Sequence, residues 1–336
     1  MQISIAFNEN GFGGPASFVR KFREGLERRG VGVSLGTSGA ADVLLVIAQW
    51  KLGEVREARR RGARVVQRQN GAYYFGGAGL RYPALNYRMR HIRQRMADYI
   101  IYQSEYSRQQ AGRFLGSEPR RLLGSTLVYN GVDLQWYHPA PRAAGRGTVR
   151  LLTALNLYRS AQELVPSLDA VARLRAGGTD AEIVVVGQVS PELAATVRAQ
   201  GLDGPWVRWT PRLGRDEMRE AMREADVFLY AKHNTNCPNV VIEALACGLP
   251  VVGFASGAMP EIVGSEAGAL APHPHNGYLR IRPGDPALFA DAIREVLDDY
   301  ATRRQGARAR AEAMFSIDTM TDAYLRAFRT VLAGSQ

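Results

Sequence analysis

The segment from Ala225 to Val252 constrains the fold of this chain more than any other part of the sequence. It reads as a buried strand, a polar loop, a short helix and a second buried strand. The apolar runs Val227 to Tyr230 and Pro250 to Phe254 mark the two strands. Strands that alternate with helices predict a parallel sheet with crossover connections, and the carboxyl edge of such a sheet is where ligands bind.

The helix in this segment has the features of an anion-binding helix start. Pro238 suits its first turn, because proline lacks a backbone N–H and its φ angle matches a helix, so Asn236 or Cys237 would be the cap. The N–H groups of Asn239 and Val240 would then point, with the positive end of the helix dipole, at an anion above the sheet edge.

Glu243 follows about one turn later in the same helix. A carboxylate at this height is placed to accept hydrogen bonds from hydroxyl groups carried by the same ligand. A phosphate joined to vicinal hydroxyls indicates a nucleotide, so the segment predicts a nucleotide site.

The run from Glu243 to Val252 resembles the second half of the donor-binding motif of the retaining glycosyltransferases of family 4, which have the GT-B fold. Further matches follow in the family's order over nearly the whole chain, at 130–133, 257–263 and 315–318. The resemblance implies transfer of a sugar from a nucleotide-diphosphate sugar to a glycan, a lipid-linked or a small-molecule acceptor. In that family the second glutamate binds the ribose, so Glu243 is expected in that role.

The same resemblance implies the fold and the way the diphosphate is held. A GT-B enzyme has two Rossmann-like α/β domains that face a central cleft, and its C-terminal helix crosses back to the N-terminal domain. We expect an acceptor domain at residues 1–140, a donor domain at 148–316 and the returning helix at 317–334. Protein cations and helix dipoles balance the diphosphate in this family, so no metal and no other cofactor is expected.

Apolar and helical patterns alternate along both halves of the chain, as two such domains require. The predicted strands are 3–7, 43–47, 64–67 and 99–102 in the first half, and 149–153, 182–186, 207–209, 227–230 and 250–254 in the second. The stretch 139–147 is rich in Pro, Gly and Arg and has no periodicity, so it is the predicted linker.

A glycine-rich loop from Asn10 to Ser17 follows the first strand and opens a helix. Glycines let the backbone approach a bound group closely, and Pro15 suits a helix start. In the resembled family the equivalent loop lies against the donor diphosphate and the transferred sugar. We therefore expect Gly13 and Gly14 to contact the donor.

The chain departs from the family pattern around its expected active site. Thr235 stands where the family usually has its first glutamate, which touches sugar hydroxyls, so the identity of the sugar stays open. Gln162 replaces a lysine that neutralises the diphosphate, which leaves Arg159 as the catalytic candidate that stabilises the leaving group. Asn70 replaces the histidine of a His-Gly pair on the acceptor side and is expected to position substrate there.

Lys232 and His233 lie in the loop after the strand Val227 to Tyr230, at the edge where ligands bind. Lys232 would supply the charge of the absent lysine, and His233 would reach the sugar or the phosphate. The alternative is that both are polar loop residues in solvent. Base contacts are expected from the backbone of the loop 210–214, which includes Leu213, so the donor base also stays open.

The positive charge of the chain lies in its first half. Residues 1–140 carry 21 Lys and Arg against 10 Asp and Glu, and the rest carries 22 against 22, which accounts for the net charge of +11. The acceptor side is therefore expected to meet an anionic acceptor or an anionic membrane surface. The sequence has no recognised nucleic-acid-binding motif, so nucleic acid is not expected as a partner.

The segment 81–96 concentrates this charge. Leu85, Met89, Ile92 and Met96 recur in it at helical spacing, and arginines occupy much of the rest of the helix. Such a helix would lie in a membrane interface, or its apolar stripe would pack on its own sheet.

The sequence leaves two classes of function open. The first is the transferase; the second is a GT-B relative without turnover that binds nucleotide sugars or scaffolds a partner. Thr235, Gln162 and Asn70 favour the second class, and the retained Glu243 opposes it. The chain has no apolar run of ~20 residues and no signal-peptide start, so we expect a cytoplasmic protein, at most peripheral on the inner face of the membrane. The chain has two cysteines, which do not have the spacing of a zinc site and are too few for a disulfide framework. This agrees with the reducing cytoplasm.

Overall fold

The described residues form two compact α/β units. The computed structural model describes residues 1–7, 13–141, 147–273, 277–280 and 282–334. The first unit comprises Met1–Gly131, Tyr278–Arg280 and Phe315–Gln336, and the second comprises Val132–Gly277 and Ile281–Met314. The predicted boundary at residue 140 falls inside the second unit, because the stretch after Gly131 packs there, where Arg308 Nη1 donates to Tyr137 O (2.8 Å).

The first unit is built on a six-stranded parallel sheet. Its elements are β1 (Gln2–Ala6), α1 (Gly14–Glu27), β2 (Gly32–Leu35), β3 (Val43–Ile47), α2 (Leu52–Arg60), β4 (Arg64–Gln69), α3 (Phe75–Ala78), α4 (Tyr82–His91), β5 (Tyr99–Tyr102), α5 (Glu105–Leu115) and β6 (Gly124–Leu127). A 3₁₀ turn (Gly79–Arg81) precedes α4, and a π-helical turn (Ile92–Met96) continues it. Among the described residues, the strand order is β2-β1-β3-β4-β5-β6.

Alternate residues of these strands face two apolar clusters, one on each side of the sheet. Met89, Ile92 and Met96 are buried in one of them, beside Leu44 and Ile100. The apolar stripe predicted in the segment 81–96 therefore packs on its own sheet and does not face a membrane. Across the described ranges, no helix is long and apolar enough to cross a bilayer.

The second unit repeats this architecture. Its elements are β7 (Val149–Tyr158), α6 (Ala161–Ala176), β8 (Ala181–Val189), α7 (Pro191–Ala199), β9 (Val207–Thr210), α8 (Arg215–Glu224), β10 (Val227–Tyr230), α9 (Asn239–Ala246), β11 (Val251–Phe254), α10 (Met259–Val263), β12 (Gly268–Ala271), α11 (Pro286–Asp298) and α12 (Tyr300–Met314). The described strands pair in parallel in the order β12-β11-β10-β7-β8-β9. Two parallel sheets with crossover helices confirm the predicted pair of Rossmann-like halves.

The last helix, α13 (Ile317–Ala333), belongs to the first unit. It packs on α1 through the rings of Phe22 and Tyr324, whose centroids are 4.6 Å apart. Arg29 ties the two helices further, with Nε 2.7 Å from Asp322 Oδ1 and Nη1 3.1 Å from Asp318 Oδ1. The prediction that the C-terminal helix returns to the N-terminal half is confirmed.

Strands β2, β6 and β12 were not predicted from the sequence. Each begins with a glycine and lies at the edge of its sheet within the described residues. The residues of β2 and β6 are only partly buried, and β12 is largely buried but consists of Gly, Ala, Leu and Ala, with no β-branched or aromatic residue. Their apolar pattern is therefore weak, whereas the buried central strands β3, β5 and β10 were predicted with their observed bounds.

Candidate functional site

The candidate site lies at the carboxyl edge of the second unit's sheet. The described strands of this sheet are parallel, so their carboxyl ends and the loops that follow them share one edge. Arg159 follows β7, Leu213 follows β9, and Lys232 follows β10, which in turn leads to α9 and Glu243. The fold thus brings the predicted donor residues of this unit to one edge, although they are far apart in the sequence.

Helix α9 begins one residue later than predicted. Pro238 has an extended conformation (φ −73°, ψ 113°), so it is the N-cap and Asn239 is the first helical residue. The Pro238 carbonyl accepts the first two helical hydrogen bonds, from the N–H groups of Val241 and Ile242. Asn236 and Cys237 therefore lie too early in the chain to be the cap. The N–H groups of Asn239 and Val240 precede these bonds and lie at the positive end of the helix dipole.

Glu243 lies half-buried in the second turn of α9. Burial, and then the Glu243 charge, raise the pKa of the Tyr137 phenol. The same two causes raise the pKa of the Cys247 thiol to about 12, so this thiol stays protonated and unreactive. The Glu243 charge therefore acts on the Tyr137 phenol, and the carboxylate follows the amides of Asn239 and Val240 by one turn.

A tight turn after β11 fixes the loop that precedes α9. Gly257 has φ +64°, and a Cβ added there would stand 2.6 Å from the carbonyl oxygen of Thr235. Ala258 N donates to that oxygen (2.8 Å), and Asn234 N donates to Ser256 Oγ (3.0 Å). Glycine is required at this turn, because other residues rarely adopt this φ and would clash. The backbone at Thr235 is thus held in place, although its side chain is not the glutamate of the family pattern.

His233 is buried at this edge in an aromatic stack. Its ring centroid lies 4.2 Å from that of His273 and 5.1 Å from that of Phe254. Within the described ranges, neither ring nitrogen of His233 has a hydrogen-bond partner, and the Asn236 side-chain oxygen is also buried without one. Burial, followed by the neighbouring His273, lowers the pKa of His233 to about 4. His233 is therefore a neutral imidazole that can donate one hydrogen bond and accept another.

The low pKa of His233 predicts a pH-dependent stability. Its pKa falls from about 6.5 in the unfolded chain to about 4 in the folded chain, so protonation favours unfolding. Neutral His233 therefore contributes up to about 3 kcal/mol to the free energy of unfolding. This contribution is complete above about pH 6.5 and is lost as the pH falls towards about 4. Denaturant unfolding over this range should show the loss, and His233→Gln should remove it. His138→Gln, another histidine of the second unit, should keep the pH dependence of the parent; equal slopes for all three proteins would contradict the assignment.

Lys232 reaches the start of α6. Its Nζ lies 3.0 Å from Glu163 Oε1, and Glu163 Oε2 accepts hydrogen bonds from the backbone N–H groups of Arg159 (2.9 Å) and Ser160 (3.3 Å). Glu163 directly follows Gln162, the residue that stands in the place of the family's lysine. The structure therefore brings the Lys232 ammonium to the first turn of α6, where it pairs with the residue after Gln162.

Arg212 was not predicted as a site residue. Its Nε donates to Asn156 O (2.9 Å), and its Nη2 donates to Gln188 Oε1 (3.1 Å). These bonds join the loop after β9 to the carboxyl-terminal ends of β7 and β8 and hold the half-buried Leu213 at the same edge. Arg212 lies inside the predicted base-contacting loop 210–214, so the contacts expected from that loop's backbone would depend on its side-chain hydrogen bonds.

Arg215, also missed, stands near Tyr137, the phenol on which the Glu243 charge acts. Its Cζ lies 4.9 Å from the Trp136 ring centroid, its Nη2 lies 4.0 Å from Asp133 Oδ2, and its charge also acts on the Tyr137 phenol. It is the first residue of α8. A cation is unfavourable at a helix N-terminus, and this was the signal available in the sequence.

The predicted site residues of the first unit lie at the carboxyl edge of its sheet. Gly13 is the N-cap of α1 with φ 82°, and Gly14 is the first helical residue; the rest of the glycine loop, residues 10–12, lies outside the described residues. Asn70 follows β4 and accepts a hydrogen bond from the buried Arg68. Arg68 also donates to Asn130 Oδ1 (2.6 Å) and stacks on the Phe18 ring. Asn70 is thus held rigidly by a buried cation.

Positive charge at the second unit's edge comes from side chains of Arg159, Arg212 and Lys232, all partly or fully exposed. In the part of the chain that the structure describes, no group of three or more His, Cys, Asp and Glu could hold a metal ion. The expectation that no metal is needed stays a prediction.

Residues 149–299 match the family model described as "Glycosyl transferases group 1". The chain is also 29% identical over 245 residues to the D-inositol 3-phosphate glycosyltransferase of Mycolicibacterium gilvum, a match that covers 70% of this chain and 53% of the relative. It is 30% identical over 257 residues to a protein of the same name from Kineococcus radiotolerans, with 69% and 57% covered. The chain spans about half the length of the curated relatives it matches.

Solved structures resemble the chain over almost its full length. Sucrose-phosphate synthase from Thermosynechococcus elongatus matches with a TM-score of 0.77 at 15% identity, covering 99% of this chain and 100% of that one. Anabaena HepE in complex with UDP-glucose matches with a TM-score of 0.73 at 16% identity, covering 98% and 100%. At these identities the likeness establishes the fold alone, and that fold is GT-B.

Proposed function

We propose that the chain is a retaining glycosyltransferase that uses a nucleoside diphosphate sugar. The observation that carries the proposal is the start of α9, where two amides of the first turn and the carboxylate of Glu243 follow one another at a sheet edge. A diphosphate would bind at the amides of Asn239 and Val240, and the ribose hydroxyls would bind Glu243. This segment lies inside the part of the chain that matches the group 1 family model.

Lys232, with Arg159, would stabilise the diphosphate as it leaves. The chain has 43 basic residues, and only Lys21, Lys51 and Lys232 are lysines. The Lys232 ammonium lies 3.0 Å from the Glu163 carboxylate, and Glu163 directly follows Gln162, which stands in place of the family's lysine. This position weakens the main argument for a relative without turnover, since a cation remains available for the leaving group.

In the reaction, the bond between the sugar's anomeric carbon and the diphosphate oxygen breaks, and a bond to an acceptor hydroxyl oxygen forms on the same face. The acceptor's proton passes to the departing phosphate oxygen, so the chain needs no histidine as a base on the acceptor side. Asn70, fixed by Arg68, would position the acceptor. No step requires a metal in this proposal.

The donor and acceptor classes follow from the similar proteins and from the charge of the first unit. HepE was solved with UDP-glucose, so we propose a uridine diphosphate hexose as the donor. The sequence relatives are named for D-inositol 3-phosphate, and residues 1–140 carry 21 basic against 10 acidic residues. An acceptor with a phosphate group is therefore proposed.

A panel of nucleotide sugars and free nucleotides tests the donor. A donor at about 100 times its Kd should stabilise the protein by about 2.7 kcal/mol, which thermal unfolding detects readily. We expect UDP-hexoses to raise the Tm and to be hydrolysed slowly, with faster turnover when a phosphorylated polyol is added. Binding without turnover under any condition would favour the sensor or scaffold instead, and no binding at all would contradict both functions.

A further inference from the structure

A groove lined by arginines crosses the surface of the first unit, away from the residues proposed to act in transfer. Two adjoining depressions, with volumes of 590 and 380 Å³, share His91 and Arg95 in their linings. We call them together the arginine groove, and its basic lining residues are Arg56, Arg59, Arg60, Arg90, His91 and Arg95.

The arginine groove lies at the amino edge of the sheet. Arg59 and Arg60 end helix α2, which leads into β4, and Arg95 lies in the last part of the π-helical turn that leads into β5. Gly13 and Asn70 follow β1 and β4, at the opposite, carboxyl edge. The groove is therefore separate from the residues of this unit that are proposed to contact donor and acceptor.

Within the described ranges, most arginines of the arginine groove are not paired with a carboxylate. Among the described residues, no carboxylate lies within 4.0 Å of Arg56, Arg90 or Arg95, and Arg60 shares Glu57 with Arg61. The charges of Arg59 and Arg95 also act on Arg121. Burial lowers the pKa of Arg121, the charge of Asp98 raises it, and the charges of Arg59 and Arg95 lower it to a smaller extent. Like charges this close disfavour the folded state unless anions gather beside them.

An exposed apolar strip runs from the 3₁₀ turn along the outer side of α4 to Tyr87, which lines the groove. Leu80 is 87% exposed and Tyr87 is 59% exposed, and Pro83 and Ala84 between them are exposed as well. Pro83, Ala84 and Tyr87 lie on one side of α4, opposite the buried Met89, and Leu80 precedes them in the 3₁₀ turn. This strip differs from the predicted stripe, which faces the core.

We propose that the arginine groove and this apolar strip attach the first unit to an anionic lipid bilayer. Lipid phosphates would enter the groove, while Tyr87 and Leu80 would insert at the boundary between headgroups and acyl chains. Charge alone would also suit a soluble polyanion. Exposed apolar side chains next to the cations distinguish the two, since only a membrane interface stabilises both.

Vesicle co-sedimentation of the full chain tests the proposal. We expect binding to vesicles of equal parts phosphatidylcholine and phosphatidylglycerol, no binding to phosphatidylcholine alone, and weakening by salt. Arg56→Gln with Arg90→Gln should lower the partition coefficient about 30-fold, since each arginine near an anionic surface contributes about fivefold. Neither side chain makes an ion pair within the described residues, so folding should be kept, as a thermal melt would verify.

The matched control is Arg198→Gln with Arg208→Gln, two exposed arginines of the second unit. It removes the same charge and should bind vesicles like the parent. Equal loss in both double variants would show that only net charge matters and would overturn the proposal. Leu80→Ser with Tyr87→Ser should weaken vesicle binding at high salt. The membrane proposal fails if this apolar variant binds vesicles like the parent and inorganic polyphosphate binds the parent but not the Arg56→Gln, Arg90→Gln variant. The groove would then bind a soluble polyanion.

Discussion

Replacing Glu243 by alanine should abolish most of the affinity for a nucleoside diphosphate sugar. The carboxylate is half-buried and is placed to accept hydrogen bonds from ribose hydroxyls beyond the amides of Asn239 and Val240. Hydrogen bonds to a charged group contribute about 1.5 to 3 kcal/mol, which corresponds to roughly 10- to 150-fold in Kd. Calorimetric titration with the donor found in the panel would measure the loss. Free nucleoside diphosphate should lose affinity by a similar factor, because it carries the same ribose.

Glu192→Ala is the matched control for this substitution. Glu192 is an exposed carboxylate in the first turn of α7, another helix of the second unit, and its removal changes the charge equally. Its donor affinity should stay within about twofold of the parent. If Glu243→Ala bound the donor as well as this control, with an unchanged Tm, the ribose role would be wrong. A large fall in Tm in the absence of ligand would instead assign Glu243 to the packing around Tyr137.

The sequence was sufficient for the fold because the central strands are apolar and lie between clear helical patterns. Strand β10 has the bounds that were predicted for it, and the run from Glu243 to Val252 fixes α9 and β11 in order. The edge strands β2 and β6 were missed, since their residues are only partly buried, and β12 was missed because Gly-Ala-Leu-Ala has no β-branched or aromatic residue although it is largely buried. Helix α4 was predicted, but which of its sides faces the core depends on packing against strands distant in the sequence.

The site residues that share one local segment were predicted from the sequence. Those that tertiary contacts bring to the site were missed. Pro238, Asn239, Val240 and Glu243 share one helix start, so their grouping was visible in the sequence. Arg212 was missed, because its role is to join loops from separate strands through Asn156 and Gln188. The cap at Pro238 was misplaced by one residue, since an extended proline and a helical proline differ only in ψ.

Lys232→Met should lower kcat by about 100- to 1,000-fold, with little change in the affinity for the donor. Loss of one preorganised charge at a developing anion typically costs this much, because the charge acts more strongly on the leaving group than on the bound ground state. Steady-state kinetics with the donor and acceptor would separate the two effects. Lys232→Arg should recover part of the activity, since it keeps the charge but not the compact ammonium.

Lys51→Met provides the matched control in the first unit, because Lys51 Nζ also pairs with a glutamate, 2.8 Å from Glu54 Oε1. Both ion pairs are partly exposed, so each should contribute at most about 1 kcal/mol to stability. We expect equal, small changes in Tm for the two variants and a loss of kcat in Lys232→Met alone. This result would assign Lys232 to catalysis and not to stability. An active Lys232→Met would instead leave Arg159 as the cation for the leaving group, and Arg159→Met should then carry the loss.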